Sequence, residues 1–83
     1  MEEVTFTGHC RLQMRERHIT EKAILSCLKS PDKVIFQSNH RFRGVKKIGK
    51  FKKVYLMVVV FDQFPNLKEV VTVFYTSKLH KYL

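Results

Sequence analysis

His9 follows Thr7-Gly8 at the start of a segment whose apolar residues recur at helical spacing, which puts its imidazole in the first turn of a helix. There the free backbone N–H groups and the helix dipole favour negative charge and disfavour imidazolium. The position suits a neutral imidazole beside a phosphate; the bland alternative is a partly exposed surface residue one turn from the cap. Cleavage of RNA without a metal, by in-line attack of a 2′-hydroxyl on the adjacent phosphate, needs a base, an acid for the leaving 5′-oxygen, and cationic or hydrogen-bonding groups on the equatorial oxygens. Histidine is matched to the first two tasks near neutral pH. Lys, Arg, Ser, Thr and Tyr can fill the third, and the chain offers Arg41 to Lys47 and Tyr75-Thr76-Ser77-Lys78. No paired carboxylates, phosphate-cradling glycine loop or His/Cys metal set accompanies them, so spacing alone does not single out catalysis.

Charge narrows the choice of partner. Sixteen Lys and Arg against seven Asp and Glu give 83 residues a formal net charge of +9. A polyanion is the natural ligand of such a chain. From Lys33 to Phe61 there is no acidic residue, while Lys33, Arg41, Arg43, Lys46, Lys47, Lys50, Lys52 and Lys53 all fall there. That stretch is expected to contact nucleic acid, with affinity falling steeply as salt rises; the plainer reading is a solvated hairpin. A chain this short forms one domain over 1–83 with a modest core, so any site is an open groove and no large cofactor is expected.

The elements that position these residues follow from period and punctuation. Thr7 caps a first helix running through Arg17, with Cys10 and Met14 on its apolar face. Thr20 caps a second, whose stripe is Ala23, Ile24, Cys27 and Leu28 and which stops at Ser30-Pro31. Cys10 and Cys27 have no zinc-site spacing and are expected to be buried free thiols in a reducing compartment. After Asp32 the period changes to two, giving strands over Lys33–Ser38, Arg41–Ile48, Val54–Asp62 and Glu69–Ser77, with turns at 38–40, 49–51 and 64–67. The expected fold is α+β: two N-terminal helices packed on a four-stranded antiparallel sheet, a two-layer domain. On the last strand the Val71, Val73 and Tyr75 side is assigned to the core, and the Val70, Thr72, Phe74 and Thr76 side to an open face. Met1-Glu2-Glu3 opens acidic, without a secretory signal, and the apolar run Val54–Phe61 is too short to span a bilayer. The expected location is the cytoplasm, with no membrane contact.

Phe6-Thr7-Gly8-His9-Cys10-Arg11, with Met14, Glu16-Arg17 and Ile19-Thr20, resembles the opening of a family of small, mostly bacterial domains of unknown function, which reads F-T-x-H-A and then R-M-x-E-R-G-I. Ser30-Pro31-Asp32, the basic run from Arg41 through Gly49, and Val71 through Lys78 resemble that family's later motifs. The chain departs from the pattern at Cys10, where Ala is usual, at His18, where Gly usually ends the helix, and at Phe42 and Gly44, where a tyrosine pair is usual. The family looks like an outlying member of the superfamily that joins barnase, the EndoU nucleases, the colicin D and E5 nuclease domains and RelE-type toxins. That resemblance implies a RelE- or barnase-like fold whose open sheet face binds RNA, and metal-independent cleavage as the toxin of a toxin–antitoxin pair. It further implies His9 as the helix-borne catalytic group, Arg17 as a charge close to it, Lys46 as a phosphate contact, and Tyr75 with Thr76 as last-strand polar groups. Arg41, Phe42, Arg43, Lys47, Lys50, Lys52 and Lys53 complete the expected RNA-binding set; no metal or cofactor is expected.

Three functions are thus open: a small endoribonuclease acting on RNA, free or on the ribosome; a non-catalytic RNA- or DNA-binding module on the same basic sheet; and an interaction domain for an acidic protein such as an antitoxin tail. Oligomeric state is not legible in the sequence.

Overall fold

A computed structural model describes residues 2–50 and 52–82, apart from the side chain of Lys50. Eight elements follow in order: β1 (Glu3–Phe6), α1 (Gly8–Arg17), α2 (Glu21–Lys29), β2 (Lys33–Ser38), β3 (Arg41–Lys50), β4 (Lys53–Phe64), β5 (Leu67–Thr76) and α3 (Leu79–Tyr82). The sheet has five strands, not four, in the order β1-β5-β4-β3-β2. It is mixed: β2 to β5 form the expected antiparallel meander, and β1 pairs parallel with β5 from Glu3↔Leu67 to Phe6↔Val70. β1 has four residues with only Val4 and Phe6 facing inward, too short an alternation to stand out as a strand by pattern.

Both N-terminal helices form where their caps predict. Thr7 and Thr20 accept from the N–H groups of Cys10 and Ala23, satisfying donors that the helices leave free. Helix α1 ends at His18 in the left-handed conformation (φ 55°, ψ 45°), and the N–H groups of His18 and Ile19 both donate to the Met14 carbonyl. This is a Schellman-type end, in which a buried Ile19 supplies the apolar contact. The αL position explains why glycine is the better-suited residue there.

Helix α1 lies along β5 where β1 stops, and its side chains occupy the edge of β5 that β1 leaves open. Thr7 N–H donates to the Val70 carbonyl and Thr7 Oγ1 to that of Val71. Gln13 Oε1 accepts from Val73 N–H at 3.1 Å and from Thr72 Oγ1, and Arg17 Nη1 donates to the Val73 carbonyl at 3.2 Å. An exposed strand edge is a template for unwanted pairing, and this helix closes one.

The core between helices and sheet contains Cys10, Met14, Ile19, Ile24, Cys27, Met57, Val59, Phe61, Val70 and Val73. Both thiols are free and buried, as expected. Val70 and Val73 are both fully buried although three residues apart, because the register slips: Val60 pairs with Thr72 but Phe61 with Val70. Val71 is the extra residue of this β-bulge, which reverses the inward set on its two sides. The assignment of Val70 to an open face is therefore overturned, while Val73 and Tyr75 do share the helix side.

Nor is the second face open. The four residues of α3 pack over it, with Leu79 and Tyr82 against Val45, Leu56, Val58, Val60 and Phe74. Tyr82 meets Phe74 edge-on at 5.8 Å, and the Arg43 guanidinium lies 5.1 Å from the Tyr82 ring centre. Phe74, assigned to an open face, is thus covered.

The β3–β4 turn falls later than the expected 49–51. Gly49 pairs with Val54 and Lys50 with Lys53, and Lys52 takes the left-handed conformation (φ 65°); Phe51 lies outside the described residues. β2 pairs with β3 only as far as Val45, and β5 with β4 only from Leu56 onward. From Ile48↔Tyr55 outward the two strands, 48–50 and 53–55, therefore run beyond the rest of the sheet as a two-stranded ribbon, with Lys46 and Lys47 at its root on the β3 edge that β2 leaves unpaired. Among the described residues no helix is long and apolar enough to cross a membrane.

Candidate nucleic-acid interface

The ribbon and its root carry Lys46, Lys47, Lys50, Lys52 and Lys53 and no carboxylate. Lys47, Lys52 and Lys53 are exposed. Lys46 is half-buried: its ammonium donates to the Ser30 carbonyl at the end of α2, at 3.2 Å. That contact suits a cation, since the helix C-terminus is the negative end of its dipole. The ribbon is tied to the domain at its root, where Asp32 N–H donates to the Val45 carbonyl and Lys47 N–H to Asp32 Oδ2.

Alternation assigns the ribbon's two faces. Lys46, Ile48, Tyr55 and Met57 share the helix side, since Lys46 pairs with Met57 and Ile48 with Tyr55. Met57 in turn pairs with Tyr75, so Lys46, Met57 and Tyr75 form one row across β3, β4 and β5. With strands about 4.8 Å apart, the backbones of Lys46 and Tyr75 are about 10 Å apart. Tyr75 is 38% exposed, and partial burial pushes its phenol above the ordinary value of 10.0, keeping it protonated near neutral pH. Arg17, bonded to the Val73 carbonyl two residues earlier on β5, stands on the other side of Tyr75.

The sequence-derived site residues thus divide. Arg17, Lys46 and Tyr75 fall toward one end of the helix-side face, Arg17 at the β5 edge and Lys46 two strands from Tyr75 across buried Met57. His9 does not join them: it is exposed near the start of α1, eight residues or about 12 Å of helix before Arg17. Thr76 pairs with Leu56 on the α3 side of the sheet, and its Oγ1 accepts from Lys78 N–H.

The expected RNA-binding residues divide as well. Lys47, Lys52 and Lys53 are on the ribbon, with Lys50, whose side chain lies outside the described set. Arg41, Phe42 and Arg43 are near the other end of β3. Arg41 makes a two-pronged ion pair with Asp62, at 2.8 and 3.0 Å, which holds the carboxyl below its ordinary value. Phe42 stacks on Phe61 with centroids 5.8 Å apart. Arg43 is engaged with Tyr82, and its Nε is buried without a hydrogen-bond partner.

Sequence reasoning missed Tyr55. Carrying the alternation of the β4 run back through Met57 would have placed it on the helix side, but only with the register in hand. Among the described residues no group of three or more His, Cys, Asp or Glu side chains could hold a metal ion.

Comparison with curated proteins and with solved structures gives no match. A family model does match, over residues 6–75, from the strand that leads into α1 to the exposed tyrosine of β5. The chain belongs to the family described as Domain of unknown function (DUF4258).

Proposed function

We propose that the chain is an RNA-binding module that grips the phosphate backbone with its β3–β4 ribbon. The observation that carries this reading is the ribbon with its root: five lysines on ten residues of sequence, without a carboxylate, of which Lys50, Lys52 and Lys53 lie past the strands on either side. Each phosphate neutralised releases counterions, so several lysines on one projection act as an affinity device independent of sequence. RNA is chosen over DNA on the strength of the chain's resemblance to ribonuclease domains.

The test is positional. Replacing Lys47, Lys52 and Lys53 together by Ala should weaken binding of a 20-nucleotide RNA by more than about tenfold at ~0.15 M salt. Replacing Lys22 and Lys29, exposed on α2, should change it less than about twofold. Equal losses would reduce the ribbon to a share of the net charge.

One observation favours a second reading, metal-independent cleavage: Arg17 at the β5 edge and Lys46 two strands away lie to either side of a protonated phenol at Tyr75, cations for a phosphate beside a proton donor for the leaving 5′-oxygen, with the 2′-hydroxyl proton passing to water. Helices ahead of an antiparallel meander support the RelE- and barnase-like kinship that goes with it. A 2′,3′-cyclic phosphate end on RNA incubated with the protein in EDTA, lost in Tyr75→Phe, is the expected result; intact RNA leaves the binding module alone.

A further inference from the structure

We infer that Tyr55 and Tyr75 form a stacking platform for unpaired bases, so that the chain selects single-stranded RNA over duplex; this rests on the RNA-binding reading and specifies its ligand. Tyr75 pairs with Met57, and Tyr55 is two residues before Met57 on the same side of β4. The two tyrosines are therefore diagonal neighbours across adjacent strands, about 7–8 Å apart at the backbone and within reach of one planar ligand or two consecutive ones. Neither phenol makes a hydrogen bond among the described residues.

Cations stand around the rings. Arg17 borders Tyr75 beyond β5, and Lys46 faces it from β3 across Met57. Lys53 is two residues before Tyr55 and shares its side of the strand. Met57 between the two tyrosines is fully buried under the protein's own elements, whereas Tyr75 keeps 38% of its surface exposed and Tyr55 is partly exposed; α3 packs on the opposite face. A surface of aromatic rings bordered by phosphate-binding cations is the arrangement by which proteins hold single strands, each stacked base contributing without regard to its identity. A duplex keeps its bases stacked on one another and offers only its backbone, which the ribbon lysines can hold but the tyrosines cannot read.

The experiment compares one 12-nucleotide RNA, carrying 2-aminopurine at a central position, as a single strand and annealed to its complement, each titrated with the intact protein. The single strand should bind at least about tenfold more tightly than the duplex, with a change in 2-aminopurine emission that reports stacking. Tyr55→Leu and Tyr75→Leu should each lower single-strand affinity by roughly 5- to 150-fold and leave duplex affinity within about twofold. Tyr75→Phe should restore what Tyr75→Leu loses, since the ring and not the hydroxyl stacks. Thermal melting of each variant separates lost contact from lost fold, and the Phe variant keeps the test decisive where a Leu variant melts early. Equal affinity for the two RNA forms, or folded Leu variants that bind the single strand like the parent, overturns the platform. Equal affinities that still fall in the Lys47, Lys52, Lys53 triple variant leave the RNA-binding reading standing; no binding of either form removes both.

Discussion

Phe36, Phe42 and Phe61 form one row across β2, β3 and β4; Lys46, Met57 and Tyr75 form another across β3, β4 and β5, four residues further along β3. Both rows are on the helix side of one sheet, and they are completed differently. In the first, ring packs on ring: Phe36 meets Phe42 edge-on at 5.4 Å and Phe42 stacks on Phe61. Leu28, Val34, Gln63 and Lys68 join Phe42 and Phe61 around a shallow groove of about 260 Å³. The cation at the groove, Lys68, is matched by Glu2, and on the opposite face of the same end Arg41 is matched by Asp62. In the second row the cations meet carbonyls, Lys46 that of Ser30 and Arg17 that of Val73, so their charge is positioned but not cancelled. One end is organised for stability, and the other keeps charge and aromatic surface available.

Substitutions at the two ends should therefore separate stability from binding. Phe61→Ala, which removes the ring at the inner end of the aromatic row, should destabilise by about 3–5 kcal/mol in urea unfolding. Tyr75→Leu at the other end should cost less than about 1 kcal/mol. If the order were reversed, Tyr75 would be core like Met57 beside it, and the comparison would fail.

The next effect comes from between the two rows, under the helices. Cys27→Ser should cost about 1–3 kcal/mol by burying a hydroxyl in place of an apolar thiol, while leaving RNA affinity unchanged. Burial pushes the Cys27 thiol up to about 11, so alkylation by iodoacetamide at pH 8 should be slow in the native state and rapid on unfolding. Rapid native labelling would mean that the helices cover less of the sheet than described.

His18→Gly should stabilise by roughly 1 kcal/mol, because glycine takes the left-handed conformation without the Cβ clash. Arg17 is held by that helix end, so RNA affinity should be retained or improved. A destabilised Gly variant would show that the imidazole makes a contact outweighing its strain.

The smallest effect belongs to the Arg41–Asp62 pair at the stable end. Hydrogen bonding to Arg41 depresses the Asp62 carboxyl, against the opposing effect of its burial, so the pair stabilises the fold above the unfolded carboxyl's value of about 4. That contribution is lost as pH falls through the lower folded value. The stability gap between parent and Asp62→Asn should be full at pH 6 and close at pH 2–3; a gap that widens on acidification contradicts the pairing.

Much of this was legible in the sequence, for reasons that also mark where it ended. Thr7 and Thr20 signalled their helices because a cap is a local event, and Cys10, Met14, Ile24 and Cys27 marked buried faces by spacing alone. β1 and α3, of four residues each, are shorter than any period can establish, and they are stable only by docking on β5 and on the second face. The Val60/Phe61 bulge was invisible because alternation carries no sign of an extra residue until a partner strand is in register. The same limit hid Tyr55. Arg17, Lys46 and Tyr75 were named by type and resemblance, but their placement toward one end follows from strand register, and the separation of His9 from Arg17 from the length of α1 along β5.

The salt dependence of RNA affinity, measured for the parent and for the Lys47, Lys52, Lys53 triple Ala variant, tests most directly whether the ribbon end is the phosphate-binding end. On a single strand each contact contributes a log–log slope of roughly −0.7, so removing three should make the slope shallower by about 2. Parallel lines, with the triple variant displaced but equally steep, would contradict the account by showing that the phosphates are held elsewhere.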